Sequence, residues 1–112
     1  MGPHQMFGNI PRSIEYAVGW VADFIEYAVS NKIVVVEATK EGREAWTLHV
    51  QECAVGVLGN EVDSWMTGVN TNVAGKQKRS IVRYNGSGPG FREKCDDVKV
   101  RGYTEFRLVP RP

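Results

Sequence analysis

The stretch NIPRSIEYAVGWVADFIEYAVSN, residues 9–31, decides the fold class. Ile14, Val18, Val21, Ile25 and Ala28 recur at steps of four, three, four and three, which is one face of an α-helix. Trp20, Phe24 and Tyr27 widen that stripe, so the helix is apolar on more than one side and calls for neighbours on both. Its start is marked chemically. Asn9 can cap the first free N–H groups, and Pro11 suits the first turn because its missing N–H has no helical partner to lose. A helix over residues 9–31 is expected.

Outward from it, the β-branched run at 33–36 reads as a short buried strand or extended connector. Thr39 is the next N-cap, and Trp46, Val50, Cys53 and Val57 at helical spacing predict a second helix over residues 40–58, loosened at its end by Gly56 and Gly59. A strand at 80–84 leads into Gly86-Ser87-Gly88-Pro89-Gly90. A third helix over residues 89–101 follows, with Phe91, Cys95 and Val98 on one face and Gly102 as its stop. Residues 104–109 read as a last strand. The expected fold is α+β and mainly helical: three helices with short strands and no internal repeat.

Residues 60–78 have no sustained period. Structureless stretches longer than about 12 to 15 residues are uncommon in compact domains and are usually functional or mobile. Within this one, Trp65 is a large aromatic in a polar, glycine-punctuated loop with no helical face to join. It can be core, or it can cover a ligand. Met6 and Met66 are core candidates on composition alone.

A length of 112 residues has room for one small domain. It cannot house a Rossmann-type nucleotide-dependent enzyme, whose glycine fingerprint needs a complete strand-helix-strand unit. No apolar run approaches the ~20 residues of a membrane-spanning helix, and the N-terminal residues carry no expected export or lipid signal. Two cysteines, Cys53 and Cys95, are too few for a disulfide framework and fit a reducing compartment, so a cytoplasmic location is expected. The net charge of +1 hides a split: residues 1–75 carry four basic and nine acidic side chains, and residues 76–112 carry ten basic and four acidic. The basic part can lie over the acidic one, or it can face an anion. Its basic residues are interspersed with acids and lack the aromatic signature of an RNA-binding sheet, which argues against nucleic acid.

Other candidate chemistry is weak. The segment 86–91 sits where a dinucleotide fingerprint would, yet Phe91 replaces the third glycine and Pro89 removes an N–H from any phosphate cradle. His49 and Cys53 are four apart on one helical face, but no further ligand motif completes a metal site, and packing with a surface imidazole explains them. Asp63-Ser64 lacks a nucleophile elbow. The start of the first helix offers a cleaner physical case, because its leading N–H groups and the positive end of its dipole favour an anion beyond Gly8.

Gly2-Pro3, Gly8-Asn9-Ile10-Pro11-Arg12-Ser13-Ile14-Glu15, Ser64-Trp65-Met66-Thr67-Gly68-Val69-Asn70 with Gly75-Lys76, Arg92-Glu93-Lys94-Cys95-Asp96-Asp97-Val98 and Arg101-Gly102-Tyr103 occur together and in order. This series resembles the C-terminal part of flavin-dependent Baeyer–Villiger monooxygenases of the cyclohexanone and phenylacetone type. The resemblance covers essentially the whole chain, and the Ser-Trp-x-x-Gly-x-Asn loop with its Gly-Lys is its most specific element. It implies the C-terminal portion of the FAD-binding domain of a flavoprotein with two Rossmann-like dinucleotide-binding domains, and so a single partial domain over residues 1–112.

The resemblance also implies FAD and NADP as cofactors, with a ketone as substrate. Gln5 and Met6 match a bulge lining the substrate pocket beside the flavin. Asn9 and Ile10 match a helix start that approaches the pyrimidine edge of the flavin ring, which agrees with the dipole argument. Trp65 matches a mobile loop that folds over NADP and excludes water. Nothing matches the family's two glycine fingerprints, its Phe-x-Gly-x-x-x-His-x-x-x-Trp signature or its catalytic arginine, so no catalytic residue is assigned. The segments 70–75 and 86–91 also depart from the family pattern. The expectation is a section that is inactive without the FAD and NADP domains. The alternative is a stand-alone helper or dimerisation module that self-associates through its apolar helix.

Overall fold

The structure, a computed structural model, describes residues 9–112. Helix α1 (Ile10–Ser30) leads into strand β1 (Ile33–Ala38), helix α2 (Lys40–Ala54), 3-10 turns at Leu58–Glu61 and Trp65–Thr67, helix α3 (Gly88–Val100) and strand β2 (Phe106–Pro110). Three helices and short strands are what the periodicity predicts.

The helix boundaries follow local chemistry. Asn9 Oδ1 accepts from the Arg12 N–H at 3.1 Å, and Pro11 lies in the first turn. At the other end the Asn31 side chain donates to the Tyr27 carbonyl at 2.8 Å, and Lys32 takes a positive φ of 55° to turn the chain into β1. Thr39 caps α2 by accepting from the Gly42 N–H at 3.0 Å, and its own hydroxyl donates to the Glu105 carbonyl at 3.0 Å. A Cβ at Gly42 would stand 2.9 Å from the Glu105 Cβ and carbonyl oxygen, so glycine is what lets α2 start against this segment.

Helix α2 ends at Ala54, four residues before the expected Leu58. Val55 is extended and Gly56 has φ +78°, a left-handed conformation that stops the helix. Ser87 caps α3 through the Gly90 N–H at 3.1 Å, with Pro89 in the first turn.

The two strands pair antiparallel, with Val36 opposite Leu108, Ala38 opposite Phe106 and an irregularity between Ile33 and Val35. The strand expected at 80–84 does not form among the described residues. Arg83 and Tyr84 are consecutive and both buried, whereas a strand sends consecutive side chains to opposite faces.

Aromatic side chains dominate the packing in two clusters. In the first, Phe24 stacks on Tyr103 with ring centres 4.3 Å apart, and Trp20, Tyr27 and Phe106 close around them. The Trp20 indole N–H donates to the Cys95 carbonyl at 2.8 Å, and the Tyr16 hydroxyl donates to Asp96 at 2.5 Å, which fastens α1 to α3. In the second, Trp46 stacks on Tyr84 at 5.5 Å beside His49 and Phe91. Phe91 touches Tyr16 edge-on at 6.5 Å and joins the two.

The aliphatic stripe that announced α1 is only partly covered: Val21 and Ala28 are half-buried, but most of that face is open. Ile14, Val18, Ile25 and Val29 are all more than half exposed, and so is Val34 of β1. Val50, Ala54, Tyr84 and Tyr103 are the fully buried apolar residues among those described. Ion pairs link the acidic and basic parts of the chain: Lys99 with Asp23 at 2.5 Å, Arg107 with Glu37 at 2.7 Å, and Arg79 with Asp63 at 2.7 Å. This is the intramolecular complement that the charge split allowed.

Candidate functional site

The sequence singled out two places, and the structure builds them differently. At the start of α1, Ile10 is 51% exposed and no acidic side chain occupies the first turn. Pro11 has no N–H, and Asn9 takes that of Arg12. The Ile10 amide is thus the first-turn donor left over by the cap. An anionic group at this end would meet the helix dipole and this N–H, with no carboxylate on the turn to repel it. Gln5 and Met6, the expected pocket residues, lie outside the described residues.

Trp65 sits at the head of a short 3-10 turn and is 69% exposed. The residues after it are a series of closed turns. The Thr67 hydroxyl donates to the Val62 carbonyl at 2.8 Å and accepts from the Ser64 N–H at 3.0 Å. The Asn70 N–H donates to the Lys76 carbonyl at 2.7 Å, and the Asn70 side chain accepts from the Asn72 N–H at 3.0 Å. Arg79 pairs with Asp63 across the base of the loop. Residues 60–78 therefore lack a period because most of their hydrogen bonds are local turns. None of the interactions described above joins the start of α1 to the Trp65 turn.

A third place was read in the sequence only as a His49–Cys53 pair, without Tyr84. The Tyr84 hydroxyl is 2.9 Å from His49 Nε2, and the Cys53 sulfur lies 3.7 Å from the same nitrogen. His49 is a half-buried partner of a buried phenol, which corrects the reading of it as a surface imidazole. Burial, together with the neighbouring Lys94, pulls His49 below the usual histidine range. Burial also pushes Tyr84 up to about 12, with the Cys53 thiol adding to the shift. The Cys95 thiol is pushed up to about 11, again mainly by burial, which makes it a poor nucleophile at neutral pH. The signal for this hub was present in the spacing of Trp46, His49, Val50 and Cys53, but nothing local showed that Tyr84 would return to them. No group of three or more His, Cys, Asp or Glu side chains placed to hold a metal occurs among the described residues.

No family model matches the chain. It is 36% identical over 112 residues to the phenazine N-monooxygenase PhzNO1 of Lysobacter antibioticus, covering all of this chain and 20% of that protein. It is also 36% identical over 108 residues to a cyclohexanone 1,2-monooxygenase of Acinetobacter, and 36% identical over 106 residues to a Baeyer–Villiger monooxygenase of Pseudooceanicola batsensis. These matches cover 96% and 95% of this chain and 19% of each relative.

Among solved structures, it matches NADP+-bound cyclohexanone monooxygenase from Rhodococcus sp. Phi1 with a TM-score of 0.84 at 36% identity, over 98% of this chain and 20% of that one. An open form of cyclohexanone monooxygenase matches at 0.70, with 28% identity, over 96% of this chain and 17% of that one. A complex of OTEMO with FAD and NADP matches at 0.66, with 27% identity, over 81% of this chain and 16% of that one.

The three curated relatives are all named as monooxygenases. Over nearly its whole length the chain is similar to proteins named as cyclohexanone and Baeyer–Villiger monooxygenases. It spans about a fifth of the length of the curated relatives it matches.

Proposed function

We propose that the chain serves as the C-terminal section of an FAD- and NADPH-dependent Baeyer–Villiger monooxygenase, which inserts oxygen beside a ketone to give an ester or lactone, and that it is inactive alone. The observation that carries this reading is the pairing of a nearly whole-length match to a fifth of such enzymes with a largely uncovered aliphatic α1 face. A surface of Ile14, Val18, Ile25 and Val29 costs free energy in water and gains it only when covered. The FAD and NADP domains of the whole enzyme would provide that cover.

The residues present fit contact with the cofactors, but they do not form a cradle that could hold either. Asn9 shapes the helix start, Ile10 offers its amide and apolar side chain, and the absence of a first-turn carboxylate leaves the dipole free to face an anionic ring edge. Trp65 offers an exposed indole face to a nucleotide. Gln5 and Met6 precede the α1 start in sequence and would line the pocket. Bound flavin would supply the oxygen chemistry, with the nicotinamide supplying hydride. This chain's share is to position the ring edge and exclude water.

Purified chain supplied with FAD, NADPH and cyclohexanone tests the proposal. The expected result is no retained flavin absorbance and no ketone-dependent NADPH oxidation. Turnover by the chain alone would overturn the claim that the other domains are needed.

A second reading, a non-catalytic helper that pairs with its own copy, draws on the same exposed α1 stripe. Sedimentation separates the two. A tight dimer abolished by Ile25→Asp supports the helper, and a monomer supports the enzyme section.

A further inference from the structure

The Trp65 turn inverts the usual placement of its side chains. An indole ordinarily goes inside and a small hydroxyl stays near water. Here Trp65 is 69% exposed, while Thr67, two residues later, has no exposed surface at all.

Thr67 is satisfied at every polar atom. Its hydroxyl accepts from the Ser64 N–H at 3.0 Å, donates to the Val62 carbonyl at 2.8 Å and lies 3.0 Å from the Ser64 carbonyl. Its N–H donates to the Ser64 carbonyl at 3.0 Å, and its carbonyl accepts from the Ser80 N–H at 2.7 Å. One side chain thus ties both ends of the 62–67 turn together, and one peptide unit ties the turn to the segment at Ser80. Gly68 completes the arrangement. It adopts φ +73°, its N–H donates to the Trp65 carbonyl at 3.1 Å, and a Cβ there would stand 2.6 Å from the Ser80 hydroxyl.

A buried hydroxyl with all its bonds made is a rigid element, because moving it strands Ser64 N–H and the Val62 carbonyl without partners. We propose that Thr67 is the positioning residue for Trp65: its hydroxyl latches the turn in the form that aims the indole at solvent, where a nucleotide could be covered. The functional meaning rests on the reading of Trp65 as a cofactor cover, but the latch itself does not.

The chain labelled with 5-fluorotryptophan gives one fluorine resonance each for Trp20, Trp46 and Trp65, with the last assigned by Trp65→Phe. Thr67→Val keeps the side-chain shape and removes the hydroxyl. It should shift and broaden the Trp65 resonance, leave those of Trp20 and Trp46 in place, and speed amide exchange at Ser64 and Ser80 by about tenfold or more. Thr67→Ser keeps the hydroxyl and should restore the wild-type Trp65 resonance. An unmoved Trp65 resonance in Thr67→Val overturns the proposal. If Thr67→Val unfolds, as seen by collapse of the Trp20 and Trp46 dispersion, Thr67→Ser decides alone: a wild-type Trp65 signal supports the hydroxyl latch, and a displaced one overturns it. No nucleotide is present in these experiments, so a failure of the cofactor reading is a separate result.

Discussion

Helix α1 has two apolar faces that meet opposite fates. The aromatic face, Tyr16, Trp20, Phe24 and Tyr27, is locked to α3 and to Tyr103 and Phe106 by ring contacts and by hydrogen bonds from the Tyr16 hydroxyl and the Trp20 indole. The aliphatic face, Ile10, Ile14, Val18, Ile25 and Val29, faces solvent. Both are hydrophobic by composition, so composition did not choose between them. The aromatic face won because its rings carry polar handles. The Trp20 N–H and the Tyr16 hydroxyl find acceptors on α3, and large rings bury more area per residue against a small partner surface. The aliphatic face has no such handle within the chain, and a larger partner is what suits it.

The sharpest way to break this comparison is to mutate adjacent residues on the two faces. Phe24→Ala should cost about 3 kcal/mol in a urea denaturation, because it removes a ring stacked at 4.3 Å on Tyr103 and tilted against Phe106 at 4.9 Å. A loss under about 1 kcal/mol would show that the cluster does not hold α1.

Acid should sharpen the contrast on the α2 side. His49 has a folded pKa below its unfolded value, so the unfolded state takes up the proton first. Stability is then full above about pH 6.5 and falls as pH drops through the range below it, where His49→Gln should show a flatter profile in melting temperature. Equal slopes for both chains would place the acid sensitivity elsewhere.

Smaller effects follow on the exposed side. Arg107→Ala breaks an exposed pair with Glu37 and should change stability by less than about 1 kcal/mol, with the difference vanishing in high salt. Ile25→Ala should change the stability of the isolated chain least, by within about 0.5 kcal/mol, since its side chain is 58% exposed. A larger loss would mean that this face is covered in solution.

Much of the skeleton was readable in the sequence because it is written locally. Asn9, Pro11, Thr39 and Gly102 set helix ends by short-range hydrogen bonding and backbone conformation, and each acts where it was expected. Long-range choices were not readable. The burial of Tyr84 depends on α2 residues 35 positions away, and the same packing displaced the strand expected at 80–84. Periodicity found the helix but ranked its faces by regularity, and three of the five stripe residues, Ile14, Val18 and Ile25, are exposed while Val21 and Ala28 are half-buried. At the candidate site, Trp65 stood out as an aromatic without a helical face. Thr67 did not, because an isolated threonine in a polar loop gives no sign that its hydroxyl will be buried.

The central claim is that the aliphatic face of α1 is shaped for the remainder of a monooxygenase. The most direct test grafts this chain in place of the matching section of the Acinetobacter cyclohexanone monooxygenase and measures retained flavin in the wild-type chimera and in an Ile14→Glu, Ile25→Glu variant. The account predicts that the chimera holds FAD, that the variant releases it, and that the same two changes leave the isolated chain's stability nearly unchanged. A chimera that keeps its flavin with both glutamates in place would contradict it.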